Sequence, residues 1–289
     1  LYTHAENKDW EQITNRKNIR WNDPAKKFKW EITKKNKKIS EETTETIAEK
    51  CDKLLLPNRL VKANKNPRTN AQKKSEISDA VIKDWEAVVS KIKSLTGQEV
   101  NAGDTKRELA NPTKKVGADS FSWHKTGRAI DLARDLKWLI VEAPSGENMF
   151  FKLYLPAKSN LKEKSSYKKQ FKETDSVNFH KKGYYPGKKL YKTTFIDVTA
   201  ILEDNGFSRI KAHEGWDKKG AKESKQEWWH YDKRDGLTWY DALNQIYTEN
   251  EIVDKTKTLV DEYSGGEEKA KTRLKNEGFP EEVIEQIFK

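Results

Sequence analysis

The sequence has almost no cysteine. Cys51 stands alone among 289 residues, which excludes an intrachain disulfide and any multi-cysteine zinc site. One cysteine does not settle the compartment, because many exported bacterial proteins also lack disulfides. Long apolar runs are missing too. Stretches such as Trp138 to Val141 fall far short of the roughly 20 residues of a membrane helix. Hydrophobic residues make up only 34% of the chain, against about 45–50% in ordinary globular proteins. That shortage argues against one compact core spanning every residue. Glycine is absent before Gly97 and all fourteen glycines follow, so the first third is not a turn-rich β domain. The chain starts at Leu1 without Met and without a signal-peptide pattern, which fits a removed export signal or a trimmed start.

Aromatics and charge are plentiful. Ten Trp, ten Tyr and ten Phe argue against wholesale disorder. The net charge of +11 is unevenly spread: +8 over residues 1–96, +6 over 97–249 and −3 over 250–289. Such a surface attracts polyanions, whether nucleic acid, anionic lipid or phosphate-rich wall polymer, and it suits a plain Lys-rich solvated surface equally well. The basic residues are dispersed and no nucleic-acid module is recognisable, so nucleic acid is not an expected partner.

Residues 1–39, with Trp10, Trp21 and Trp30 among Lys and Asn, read as an irregular arm. Ser40 reads as an N-cap for a helix carrying Ile47, Cys51, Leu54 and Leu55, stopped at Pro57. Ser75 opens the clearest helix, with Ile77, Val81, Trp85, Val88, Ile92 and Leu95 on one stripe and Gly97 closing it. Strands follow at Lys137–Glu142 and Phe150–Leu155, joined by a hairpin. Residues 158–192 form a Lys-, Ser- and Tyr-rich excursion whose length and Gly/Pro content fit a lid over a cleft. A short helix at Ile196–Asn205, strands at Ser208–Ala212 and Glu227–Asp232, and a helix at Thr238–Tyr247 come next. Two or three short helices end the chain from Asp254, broken at Gly265-Gly266 and Gly278-Phe279-Pro280. The mixture is α+β: a small antiparallel sheet flanked by helices, with mainly helical or irregular extensions. The expected division is an arm and helix at 1–72, a domain at 73–249 and a helical extension at 250–289.

Two segments carry the chemistry. One is Ser122-Trp123-His124-Lys125-Thr126-Gly127-Arg128-Ala129-Ile130-Asp131; the other is Gln226-Glu227-Trp228-Trp229-His230-Tyr231. A catalytic zinc site needs three protein ligands and an open fourth position. His124, Asp131 and His230 can supply that set, and Glu227 remains free to take a proton from the activated water. Small residues at Gly127 and Ala129 suit a backbone that curls around a metal.

These segments resemble the zinc D-alanyl-D-alanine carboxypeptidases of the VanY type, within a wider group that includes lysostaphin-type enzymes and the hedgehog signalling domain. The family pattern is Ser-x-His-x-x-Gly-x-Ala-x-Asp, then Glu-x-x-His, often with Trp before the second His. Ser122, His124, Gly127, Ala129, Asp131, Glu227, Trp229 and His230 match it. The resemblance covers about residues 97–247. It implies an antiparallel sheet carrying the site, Zn2+ held by His124, Asp131 and His230, and Glu227 as general base. It implies a substrate as well: a peptide bond next to a D-amino acid in bacterial peptidoglycan, at the cell envelope, periplasmic or secreted.

Two features need accounting for. Glu227 and His230 would point to opposite faces of an ideal strand, so the strand must break near Glu227. Family members also carry an upstream Arg for the substrate carboxylate; Arg107 is the nearest candidate, at a different spacing. Without such an Arg, an endopeptidase acting on an L-Ala-D-Glu bond or a cross-bridge becomes the better expectation. His213 is a further catalytic candidate, lining the cleft or stabilising the transition state. Ser122 and Trp229 are candidates on the substrate side, Ser122 as a hydrogen-bond partner and not a nucleophile. A non-catalytic zinc-containing wall-binding module is the alternative of another class; Glu227 speaks against it. The basic arm suits anionic wall polymers as partners.

Overall fold

The chain parts into Leu1–Leu55 and Leu56–Lys289. The computed structural model describes residues 60–107, 109, 121–159, 161, 165–172, 177–179, 191–218, 221–261 and 266–289. The expected arm at 1–39 and the helix capped by Ser40 lie outside the described residues.

Strand β1 (Leu60–Lys62) pairs antiparallel with β2 (Glu76–Ser78), and helix α1 (Asn70–Lys74) lies between them in sequence. Thr69 and Gln72 cap α1 reciprocally. Residues 60–62 and 70–74 thus carry regular structure, with β1 tied to β2 by its strand pairing. Helix α2 (Asp79–Thr96) is capped three residues later than Ser75, the cap expected from the sequence. Ile77 continues the helical spacing but sits in β2, and Ser78, not Ser75, caps the helix by accepting from Ala80 N. At the other end Gly97, in a left-handed conformation with φ 73°, closes α2 as expected. Val81, Trp85, Val88, Ile92 and Leu95 are fully buried on the inner face, each aliphatic side chain stabilising the fold by roughly 1.5–3 kcal/mol.

Two larger antiparallel sheets follow. The first has strand order β10-β11-β4-β3, from β3 (Ala102–Asp104), β4 (Ala129–Leu132), β10 (Ser208–Arg209) and β11 (His230–Asp232). The second has order β7-β9-β6-β5-β8, from β5 (Leu139–Glu142), β6 (Phe151–Pro156), β7 (Lys168–Phe171), β8 (Val177–Phe179) and β9 (Tyr191–Asp197). The expected β5–β6 hairpin is present, with Glu142 opposite Phe151 and Gly146 at φ 57° in the turn. The described parts of the 158–192 excursion include β7 and β8, the strands at the two edges of this second sheet. Helix α3 (Val198–Asp204), capped by Asp197, is shorter than expected because Ile196 and Asp197 complete β9. Ala102, Ile130 and Leu132 of one sheet and Ile140, Leu153 and Ile196 of the other share a core with α2.

Helix α4 (Trp239–Leu243), with a Thr238–Asp241 capping box, is half its expected length. The tail forms α5 (Glu249–Asp261), α6 (Glu267–Asn276) and α7 (Glu281–Ile287). These helices share a second core with Phe121, Trp123 and Trp239. Phe121 meets Trp239 edge-on at 5.1 Å, and Phe279 stacks at 4.7 Å on Tyr240. Residues 250–289 are thus packed into the domain rather than appended to it. Among the described residues no helix is long and apolar enough to cross a membrane.

Candidate metal centre

Ser122 begins the site as a cap. Its hydroxyl accepts from His124 N at 3.3 Å and opens a 3-10 turn, Trp123–Thr126. Gly127 ends the turn at φ 66°, its N–H bonded to His124 O. A Cβ at Gly127 would stand 2.9 Å from Leu60 Cδ2 and 3.0 Å from Ser78 N, so this corner admits only glycine. The turn delivers His124, 1% exposed, beside β4. Asp131 lies on β4 directly opposite His230 on β11, and opposed residues of an antiparallel pair share a face.

Asp131 Oδ1 is 2.9 Å from His230 Nδ1 and 3.2 Å from His124 Nε2. The two imidazoles cross at 81° with centroids 4.8 Å apart. One donor atom from each residue lies within 4.8 Å of the other two, so His124, Asp131 and His230 form a group able to hold a metal ion. Ligand bonds of about 2.0–2.2 Å in a tetrahedron place donor atoms about 3.3–3.6 Å apart, close to this spacing. The hydrogen bonding argues the same way. His124 Nδ1 faces the Thr105 carbonyl in a short contact. A carbonyl only accepts, so Nδ1 carries a proton and Nε2 is the ring atom turned to the Asp131 carboxylate. That leaves Nε2 placed as the atom that could hold a metal ion. Burial disfavours the Asp131 charge, but hydrogen bonds and charges from His124 and His230 outweigh it and hold the carboxyl well below the usual carboxylate range.

Glu227 precedes β11 in a left-handed conformation, φ 51°, with His230 N donating to its carbonyl at 3.1 Å. β11 begins only at His230, so the break expected near Glu227 is present and the alternation of faces no longer applies. Burial pushes the Glu227 carboxyl up from its ordinary value and the Asp131 charge adds to this, while His230 and His213 draw it down. The carboxyl opens into a cleft of about 610 Å³ lined by His213, Glu214, Lys218, Ser224, Lys225 and Glu227. His213 Nε2 is 3.2 Å from Glu227 Oε1.

Arg107 reaches the centre's edge. Its N–H donates to His124 O, and its guanidinium lies 3.3 Å from Asp104 Oδ2 and 3.7 Å from Asp131 Oδ2. Trp229 is buried against Trp228, with the Arg134 guanidinium 4.7 Å over its ring, and its carbonyl accepts from Leu132 N. Ser122 thus acts as a cap and Trp229 as packing. Thr105 was not marked by the sequence, since a backbone carbonyl carries no residue-type signal. Arg128, 2% exposed, was passed over as a motif spacer; it binds Lys233 O, Gln245 Oε1 and Asp235 and ties β4 to the chain beyond β11. No family model, no curated protein and no solved structure matches this chain.

Proposed function

We propose that the protein is a zinc metallopeptidase that hydrolyses peptide bonds in bacterial peptidoglycan, with the terminal D-Ala-D-Ala bond as its first target. The observation that carries this reading is the convergence of His124, Asp131 and His230, with Glu227, three residues before His230, half-buried at the wall of a cleft. Two histidines and one carboxylate with an open position suit zinc. A bound zinc supplies a Lewis acid for the scissile carbonyl and lowers the pKa of its water to about 7. The chain's own residues do the rest. Thr105 fixes the His124 tautomer. Glu227 takes the proton from the attacking water and passes it to the leaving amine, and burial tunes its basicity toward neutral pH. Arg107 pairs with the substrate's terminal carboxylate. The place of action is the cell envelope, periplasmic or secreted, with anionic wall polymers as secondary partners.

A second reading has an observation of its own. Arg107 already faces Asp104 and Asp131. An Arg so engaged favours an endopeptidase, cutting an L-Ala-D-Glu bond or a cross-bridge, over a carboxypeptidase.

Digestion of purified peptidoglycan with product masses, with and without chelator, tests both. Zinc-dependent loss of one D-Ala supports the first reading, and new internal ends support the second. Unchanged muropeptides at saturating zinc would remove both and leave a zinc-containing wall-binding module.

A further inference from the structure

Glu227 has a partner that the proposed reaction does not require. His213 sits on the loop between β10 and β11, half exposed, with Nε2 3.2 Å from Glu227 Oε1. Two ties fix this loop to the segment just ahead of Glu227. His213 N donates to Lys225 O at 2.8 Å, and Lys225 Nζ donates to the Glu214 carbonyl at 3.0 Å. A turn closed by Trp216 N on His213 O, at 3.1 Å, backs the imidazole. Among the described residues Glu227 Oε1 has this one side-chain bond and Oε2 has none. A glutamate has three rotatable side-chain bonds, and a general base must be held within hydrogen-bond reach of its proton.

We propose that His213 is a positioning residue: it donates from Nε2 to Glu227 Oε1, fixes the carboxylate, and leaves Oε2 to accept the proton. The proposal rests on the peptidase reading. It differs from a substrate contact, which would act through binding, and from transition-state stabilisation, which would act without Glu227.

The test uses the full chain loaded with zinc and the variants His213→Ala, His213→Gln and Glu227→Gln. The measurements are kcat and KM for D-Ala release from a stem pentapeptide, zinc affinity by chelator competition, and the His213 ring signals by NMR at fixed pH. His213→Ala lowers kcat by roughly 10–100-fold, with KM and zinc affinity within about twofold of wild type. His213→Gln, whose amide also donates, restores most of the rate. Glu227→Gln removes the facing carboxylate and moves the His213 ring signals. Unmoved His213 ring signals in Glu227→Gln would overturn the pairing. A raised KM at constant kcat, or a parallel loss of zinc affinity, would overturn the positioning role. A wild-type chain that cuts no peptidoglycan bond, while Glu227→Gln still moves the His213 ring signals, would overturn the peptidase reading and leave the pairing supported.

Discussion

Asp131 and His230 face each other across two antiparallel strands, and their side chains meet at 2.9 Å. Two members of the metal centre are therefore set by one strand register. A slip of a single residue would send them to opposite faces of the sheet.

The first prediction concerns metal. The full chain should bind one zinc ion, measured by calorimetry. Asp131→Asn or His230→Ala should weaken binding by more than the roughly 10–100-fold typical of losing an outer partner. Zinc at 100 times its Kd should raise unfolding free energy by about 2.7 kcal/mol, and a chelator should reverse the gain.

Gly127→Ala tests the corner that carries His124. The new methyl meets the Ser78 backbone at 3.0 Å and demands a left-handed alanine. Destabilisation of about 2 kcal/mol or more is expected in denaturant unfolding, with weakened zinc binding. Wild-type values for both would show that the corner tolerates a side chain.

Glu227 can be probed through its backbone. At φ 51° glycine is favoured over alanine, so Glu227→Gly should unfold at higher denaturant than Glu227→Ala by about 1 kcal/mol. Both variants should lose at least ~100-fold in peptide turnover while retaining zinc.

The motif residues were legible because their types and spacings are tied to chemistry: His124, Asp131 and His230 do converge, and the strand break at Glu227 followed from alternation once Glu227 and His230 were required at one site. What escaped had physical reasons. Ile77 keeps the helical spacing to Val81, yet β1 needs a partner strand and takes Glu76–Ser78. Lys168–Phe171 reads as a basic loop but buries Phe171 on Phe195 at an edge of the second sheet.

Alkaline pH should expose two buried tyrosines. Burial raises the Tyr154 hydroxyl above its ordinary value, with Asp197 adding to the effect. Burial raises Tyr231 in the same direction. The folded state then keeps protons that the unfolded chain releases near pH 10, so stability is intact below that pH and falls as pH rises beyond it. Each such tyrosine contributes a slope of about 1.4 kcal/mol per pH unit. Tyr154→Phe should make the fall shallower by up to about 1.4 kcal/mol per pH unit, measured as denaturant midpoints between pH 9 and 12.

Trp239 Nε1 donates to the Ser122 carbonyl at 3.2 Å, while its ring packs between Phe121 and Phe279. The last forty residues thereby act as a buttress for the turn that aims His124. A shortened protein ending near Tyr247 would strip Phe279 from Trp239 and Tyr240, and the first casualty would be the angle at which that imidazole is presented.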